Sequence, residues 1–197
     1  MDGLFTTYFE VGIWHVLDIE AYDHILFIIA LCVPYSGKSW KKLFLLATAF
    51  TIGHSLTLGL AIFDVIQFST SLVEKLIPVT IIVTCLYNVY QCFRSTDETW
   101  SSNVNLNYLI ALIFGLIHGM GFSSFFRAAL MPGEEDELWQ QLLAFNVGIE
   151  VSQLIIIFGF VVLAGVVLNV LGVKWKWWVV GVSVFCGLVA ISLLLNI

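Results

Sequence analysis

Val151-Ser-Gln-Leu-Ile-Ile-Ile-Phe-Gly-Phe-Val-Val-Leu-Ala-Gly-Val-Val-Leu-Asn-Val-Leu-Gly-Val173 contains no charged side chain and is apolar on every side. A helix over this run, rising about 1.5 Å per residue, is long enough to cross the roughly 30 Å hydrocarbon core of a bilayer. Similar runs recur at Leu43–Phe63, Leu76–Phe93, Val104–Phe126 and Trp177–Ile197. Each reaches or nearly reaches the about 20 residues that a crossing requires. A shorter run, Tyr22–Tyr35, brings the expected number of spans to six. Phe5–Leu17, apolar except for Glu10, adds a seventh, partial element lying in the interface or re-entering the membrane. Barrel strands would instead give segments of about ten residues alternating in polarity. The predicted fold is therefore all-α, a polytopic integral membrane bundle of six transmembrane helices.

The composition agrees: 197 residues, 60% hydrophobic, 11% charged, mean hydropathy +0.99. Such a chain belongs with polytopic membrane proteins. The connectors, Ser36–Lys42, Asp64–Lys75, Arg94–Asn103, Met131–Gln140 and Gly172–Lys176, are too short to separate domains, so residues 1–197 are expected to form one membrane-embedded unit. The N-terminus has no positive charge ahead of an apolar core, so no cleavable signal is expected and the mature chain is read as starting near Met1. With six spans, Lys38, Lys41, Lys42, Arg94, Lys174 and Lys176 fall on one side, and Lys75 and Arg127 on the other. By the positive-inside rule both termini lie outside the cytoplasm. The outer face then collects Asp2, Glu10, Asp18, Glu20 and the run Glu134–Glu137, a field that concentrates cations. Trp40 and the Trp175, Trp177, Trp178 group sit beside lysines as interfacial anchors. No phosphate-binding loop or ATPase signature is present, and no nucleic-acid partner is expected. The expected partners are a metal ion, the bilayer and a second copy of the chain.

Ionisable residues at membrane depth are costly and ask for a reason. Asp23 and His24 stand at the mouth of the uncharged run Ile25–Gly37. His54 lies in Phe50-Thr-Ile-Gly-His-Ser-Leu-Thr-Leu58, and His118 in Gly115-Leu-Ile-His-Gly-Met-Gly-Phe122. Gly53, Gly115, Gly119 and Gly121 beside them allow helix backbones to approach closely. Asn146, Glu150 and Gln153, spaced four and then three apart, share one helix face. One buried histidine more often serves as an interhelical hydrogen-bonder than as a ligand; three on three spans reverse that expectation. Asp23, His24, His54, His118 and Glu150 are the candidate metal ligands, with Thr51, Ser55, Asn146 and Gln153 as groups fixing the imidazoles. His15, Asp18 and Glu20 form a candidate entry site. Mixed imidazole and carboxylate donors suit nickel, cobalt, zinc or iron(II) rather than magnesium or calcium. Asn88 is a further candidate to approach the cage, whereas Cys32, Cys85, Cys92 and Cys186 read as buried apolar cysteines.

Five segments in order, Gly12-Ile-Trp-His15, Tyr22-Asp-His-Ile-Leu-Phe27, Phe50-Thr-Ile-Gly-His-Ser-Leu-Thr57, Phe114-Gly-Leu-Ile-His-Gly-Met-Gly-Phe122 and Phe145-Asn-Val-Gly-Ile-Glu150, resemble the HupE/UreJ family of small bacterial membrane proteins. The resemblance covers nearly the whole chain, with Ala21 where better-known members carry a glycine. It implies uptake of nickel, or in some members cobalt, across the bacterial inner membrane for metalloenzymes such as hydrogenase and urease. It also implies metal-handling roles for His15, Asp23, His24, His54, His118 and Glu150. Two other classes stay open at this point. Three protein ligands and a water on zinc, with Ser55, Ser123 and Ser124 nearby, is how a membrane-embedded hydrolase would be assembled. An accessory subunit would use the same polar residues only to hold helices together.

Overall fold

The computed structural model describes residues 2–19, 22–35, 39–63, 65–66, 69–94, 104–129 and 137–197. Every regular element among them is helical: α1 (Asp2–Leu17), α2 (Asp23–Cys32), α3 (Trp40–Ile62), α4 (Thr70–Arg94), α5 (Val104–Ala129), α6 (Leu138–Gly165) and α7 (Trp175–Leu195). A π-helical turn, Val166–Val170, extends α6. Five helices, α3 to α7, are long and apolar enough to cross a membrane. Phe158, Phe185 and Leu188 are exposed on the outside of the bundle, while His54, Asn88, Ser152 and Gln153 are buried within it. That inversion of the usual soluble pattern fits a protein whose solvent is lipid.

The sixth expected span, Tyr22–Tyr35, contracts to the ten residues of α2, about 15 Å long and half a bilayer core. Pro34 explains where α2 stops: it has no N–H to offer the Ala30 carbonyl four residues back. Asn88 on α4 supplies the missing donor, its Nδ2 lying 2.6 Å from that carbonyl. Asn88 is thus tied to the end of α2, away from any role in a cage. Asn107 on α5 likewise donates to the Tyr35 hydroxyl at 2.5 Å. Two other boundaries shift. The helix expected over Val151–Val173 begins at Leu138, which takes in the polar residues Asn146 to Gln153 and shortens the Met131–Gln140 connector. Pro78 lies inside α4, which starts at Thr70, and so neither begins that helix nor ends it.

Glycine seams set how the helices meet. A Cβ on Gly53 would strike the Leu112 carbonyl of α5, and one on Gly115 would strike the Phe50 carbonyl of α3. Gly119 sits in the same way against the His54 carbonyl and the Thr57 hydroxyl. These contacts make α3 and α5 parallel and bring the backbones bearing His54 and His118 into touch. A second seam was not foreseen from sequence: Gly12 of α1 packs on the Phe145 carbonyl of α6, and Gly148 on the Phe9 carbonyl. The matching three-residue offset makes α1 parallel to α6. Helix α2 runs antiparallel to α5, since His24 lies by His118 and Phe27 by Phe114. Its N-terminal end is level with the fifteenth of the 26 residues of α5. Asp23 and His24 therefore enter the bundle near its middle, about 17 Å from the Ala129 end of α5.

Candidate metal centre

Asp23 occupies the first turn of α2, where its carboxylate faces the free N–H groups of the helix start. Oδ1 accepts the backbone N–H of His24 at 2.8 Å and lies 2.9 Å from His24 Nδ1. Carboxylates accept and do not donate, so this contact assigns the ring proton to Nδ1 and leaves Nε2 with its lone pair free. The other carboxylate oxygen, Oδ2, is 3.6 Å from His118 Nε2. One ligand atom each from Asp23, His24 and His118 falls within 4.8 Å of the others. Rotamer adjustment would close these donors onto a single ion, whose bonds to imidazole nitrogen are about 2.0–2.1 Å.

The remaining two histidines adjoin this group. The His15 ring lies 4.6 Å from His24 and 5.9 Å from His54, centroid to centroid, and His24 lies 4.3 Å from His118. The Gly12–Gly148 seam places His15, an expected entry residue, beside these imidazoles. His54 is fully buried, and His118 and His24 are nearly so. Six buried imidazole nitrogens have no hydrogen-bond partner: Nε2 of His15, Nε2 of His24, and both ring nitrogens of His54 and His118. A buried polar atom left unpaired costs about 1–3 kcal/mol, so a set of six at one place is what a ligand would relieve.

Access is unequal on the two sides. A cavity of about 900 Å³ reaches His15 and Phe122 past Glu10, Trp14 and Asp18. A smaller one, about 170 Å³, reaches Asp23 between Glu74, Pro78 and Leu193. On the opposite side Phe27 stacks on Phe114 with centroids 3.4 Å apart, and Phe50 lies 5.8 Å from Phe27 and 6.1 Å from Phe114. Phe114 also stacks on His118 at 4.3 Å. These three rings form an apolar wedge directly beneath the imidazoles. Sequence reading passed over them because phenylalanines at helical spacing look like ordinary core.

Other expected site residues are held elsewhere. Glu150 is not drawn into the imidazole group; its Oε1 accepts a hydrogen bond from Thr48 at 2.7 Å. Thr51 donates to Gln153 Oε1 at 3.1 Å, and Ser55 donates to the Thr51 carbonyl at 2.7 Å. Asn146 donates to the Leu142 carbonyl at 2.7 Å, while its Oδ1 is buried without a partner. These four were expected to fix the imidazoles, yet none bonds one. Asp23 performs that service for His24. Of the other two expected entry residues, Asp18 lines the large cavity and Glu20 lies outside the described residues. Ser123 donates to the Met120 carbonyl at 2.9 Å, and the side chain of Ser124 lies outside the described set.

The fold and site define a helical protein built for the membrane, with a histidine and carboxylate centre inside the bundle. The family model described as HupE / UreJ protein matches residues 1–197, and the chain belongs to the HupE/UreJ family. No curated protein and no solved structure matches it.

Proposed function

We propose that the protein takes up a divalent transition-metal ion, nickel or cobalt, across a bacterial inner membrane. In this reading the ion is held by Asp23, His24 and His118, with His15 and His54 as adjoining donors. The observation that carries the reading is the convergence of six unpartnered, buried imidazole nitrogens beside a carboxylate. Imidazole with carboxylate favours borderline divalent ions, and zinc would satisfy the same donors. The family association favours nickel and cobalt. Glu10 and Asp18 attract cations into the large cavity, from which His15 leads to the centre.

The directions of α1 and α2 support a further part of this reading. Helix α1 runs with α6 from the Ala129 end toward the middle, and α2 continues from the middle to the Trp40 end. Together they make one crossing built of two helices, α1 ending at Leu17 and α2 starting at Asp23, in the manner of discontinuous helices that bind ions at their breaks. Six crossings then result, with both termini on the non-cytoplasmic face. Tags at the two ends should both react with an impermeant label in intact spheroplasts; protection of either one rules this arrangement out.

Uptake itself is tested in proteoliposomes. Nickel(II) should enter vesicles containing the wild-type protein, and His118→Ala should lower the rate at least tenfold. Equal rates for the two proteins would refute the reading. A membrane-embedded zinc hydrolase is a second reading, favoured by one observation: the two cavities that reach the centre approach it from the side of α1 and of the α4 start. Metal-dependent hydrolysis without transport would be its sign.

A further inference from the structure

The two cavities that reach the imidazole centre meet it at different atoms. The larger comes to His15 and Phe122, whose rings lie 3.8 Å apart, centroid to centroid. Phe122 also stacks on Phe145 at 4.9 Å, so apolar rings border that approach. The smaller, about 170 Å³, is walled by residues of α4 and α7 and comes to Asp23 directly. Of Asp23, His24 and His118, Asp23 is the most open, 23% exposed at its side chain against 5% and 1%. At about 30 Å³ per water the smaller cavity has room for about five or six, enough for a divalent ion that keeps part of its water shell.

Its lining suits such an ion. Glu74 stands on the wall with Tyr22, Ile77 and Pro78, and among the described residues no basic side chain lines it. Glu74 and Pro78, four residues apart, share one face of α4. Pro78 has no N–H for the Glu74 carbonyl, and its ring crowds that oxygen. The Ala30 carbonyl, left in the same way by Pro34, is met by the Asn88 amide. At Glu74 the cavity stands where such a side chain would be, so residue 74 offers it a backbone oxygen as well as a carboxylate. A solvated acid near a helix start is the simpler account of Glu74, which is exposed in the second turn of α4. That account leaves out Pro78 and the reach of the cavity from Glu74 to Asp23.

We propose that this cavity is a second door to the centre, through which Glu74 draws a hydrated divalent cation to Asp23. The inference rests on the uptake reading for the ion's destination. Glu74 acts on the path and not at its end, which makes it a positioning residue with a kinetic signature. Such a group speeds loading and unloading by one factor and leaves the equilibrium affinity alone, whereas a ligand changes the affinity. Nickel(II) loading of purified protein in detergent, and its unloading to excess chelator, are timed by rapid desalting and elemental analysis. The background is Glu10→Gln with Asp18→Asn, which slows the large cavity. There, Glu74→Gln should lower both rates by roughly tenfold, the lower end of what charged clefts contribute, at an unchanged dissociation constant. Glu74→Asp should keep both rates, and Glu137→Gln, at the exposed start of α6, should alter neither. Pro78→Ala, which returns an N–H to the Glu74 carbonyl, should slow loading as well; normal loading there would overturn the carbonyl's part. Unaltered rates in Glu74→Gln would overturn the door and leave the uptake reading standing. An equal fall in Glu137→Gln would also overturn it, by reducing the effect to overall charge. So would a weakened affinity in Glu74→Gln at an unchanged melting temperature, which would make Glu74 a ligand of the final site. Failure of the wild-type protein to take up any nickel(II) would overturn the uptake reading instead.

Discussion

Asp23 does two things with one carboxylate. Oδ1 fixes the His24 ring through Nδ1 and leaves its buried Nε2 unpaired, and Oδ2 lies 3.6 Å from His118 Nε2. Asparagine at this position fits the space but removes the charge and one acceptor. Partners that orient a metal-bound histidine typically contribute 10–100-fold in affinity, so Asp23→Asn should weaken nickel(II) binding by roughly that factor. Unchanged binding would mean that His24 needs no such partner. The same chemistry fixes a pH dependence. Imidazole ligates metal only as the neutral base, so protons compete and occupancy should fall on acidification and return on neutralisation. At this scale the sequence was informative: an Asp-His pair in apolar surroundings is expensive, and the structure gives it partners. The position of His15 was not legible. Its depth depends on Gly12 meeting Gly148, and nothing near His15 in the chain announces a contact with α6.

Helix packing decides whether those residues meet at all. The α3–α5 seam requires no side chain at Gly53 and Gly115, because a methyl group at either would overlap a facing backbone carbonyl. Backbone cannot yield as a flexible side chain can. Gly53→Ala and Gly115→Ala should each destabilise the protein by about 1–3 kcal/mol, the usual range for overpacking. Gly181→Ala on α7, with open space around its Cβ position, serves as the control and should leave the melting temperature nearly unchanged. Equal effects at all three sites would remove the seam argument. The glycines flanking His54 and His118 signalled this approach in the sequence. The length of α2 was half legible: Pro34 marks its end, but an uncharged run through Ile25–Gly37 reads as a span until the carbonyl left by proline is found to be met by Asn88.

Across the whole molecule, the long apolar runs made the helical class and the five helices long enough to cross a membrane readable before any coordinates. What they could not supply was how α1 sits against α6 and α2 against α5, because periodicity describes one helix at a time and these placements depend on which neighbours each helix meets. Among the described residues, two cavities reach the centre from the side of α1 and the α4 start, and three phenylalanine rings pack beneath it. Every functional statement above depends on that centre holding a metal ion. Elemental analysis of protein purified without added metal, then equilibrated with nickel(II) and desalted, tests this most directly. The account predicts at least one tightly held ion per chain in the wild type, and strong loss of that ion in both His24→Ala and His118→Ala. Full occupancy in either variant, or none in the wild type, would contradict it.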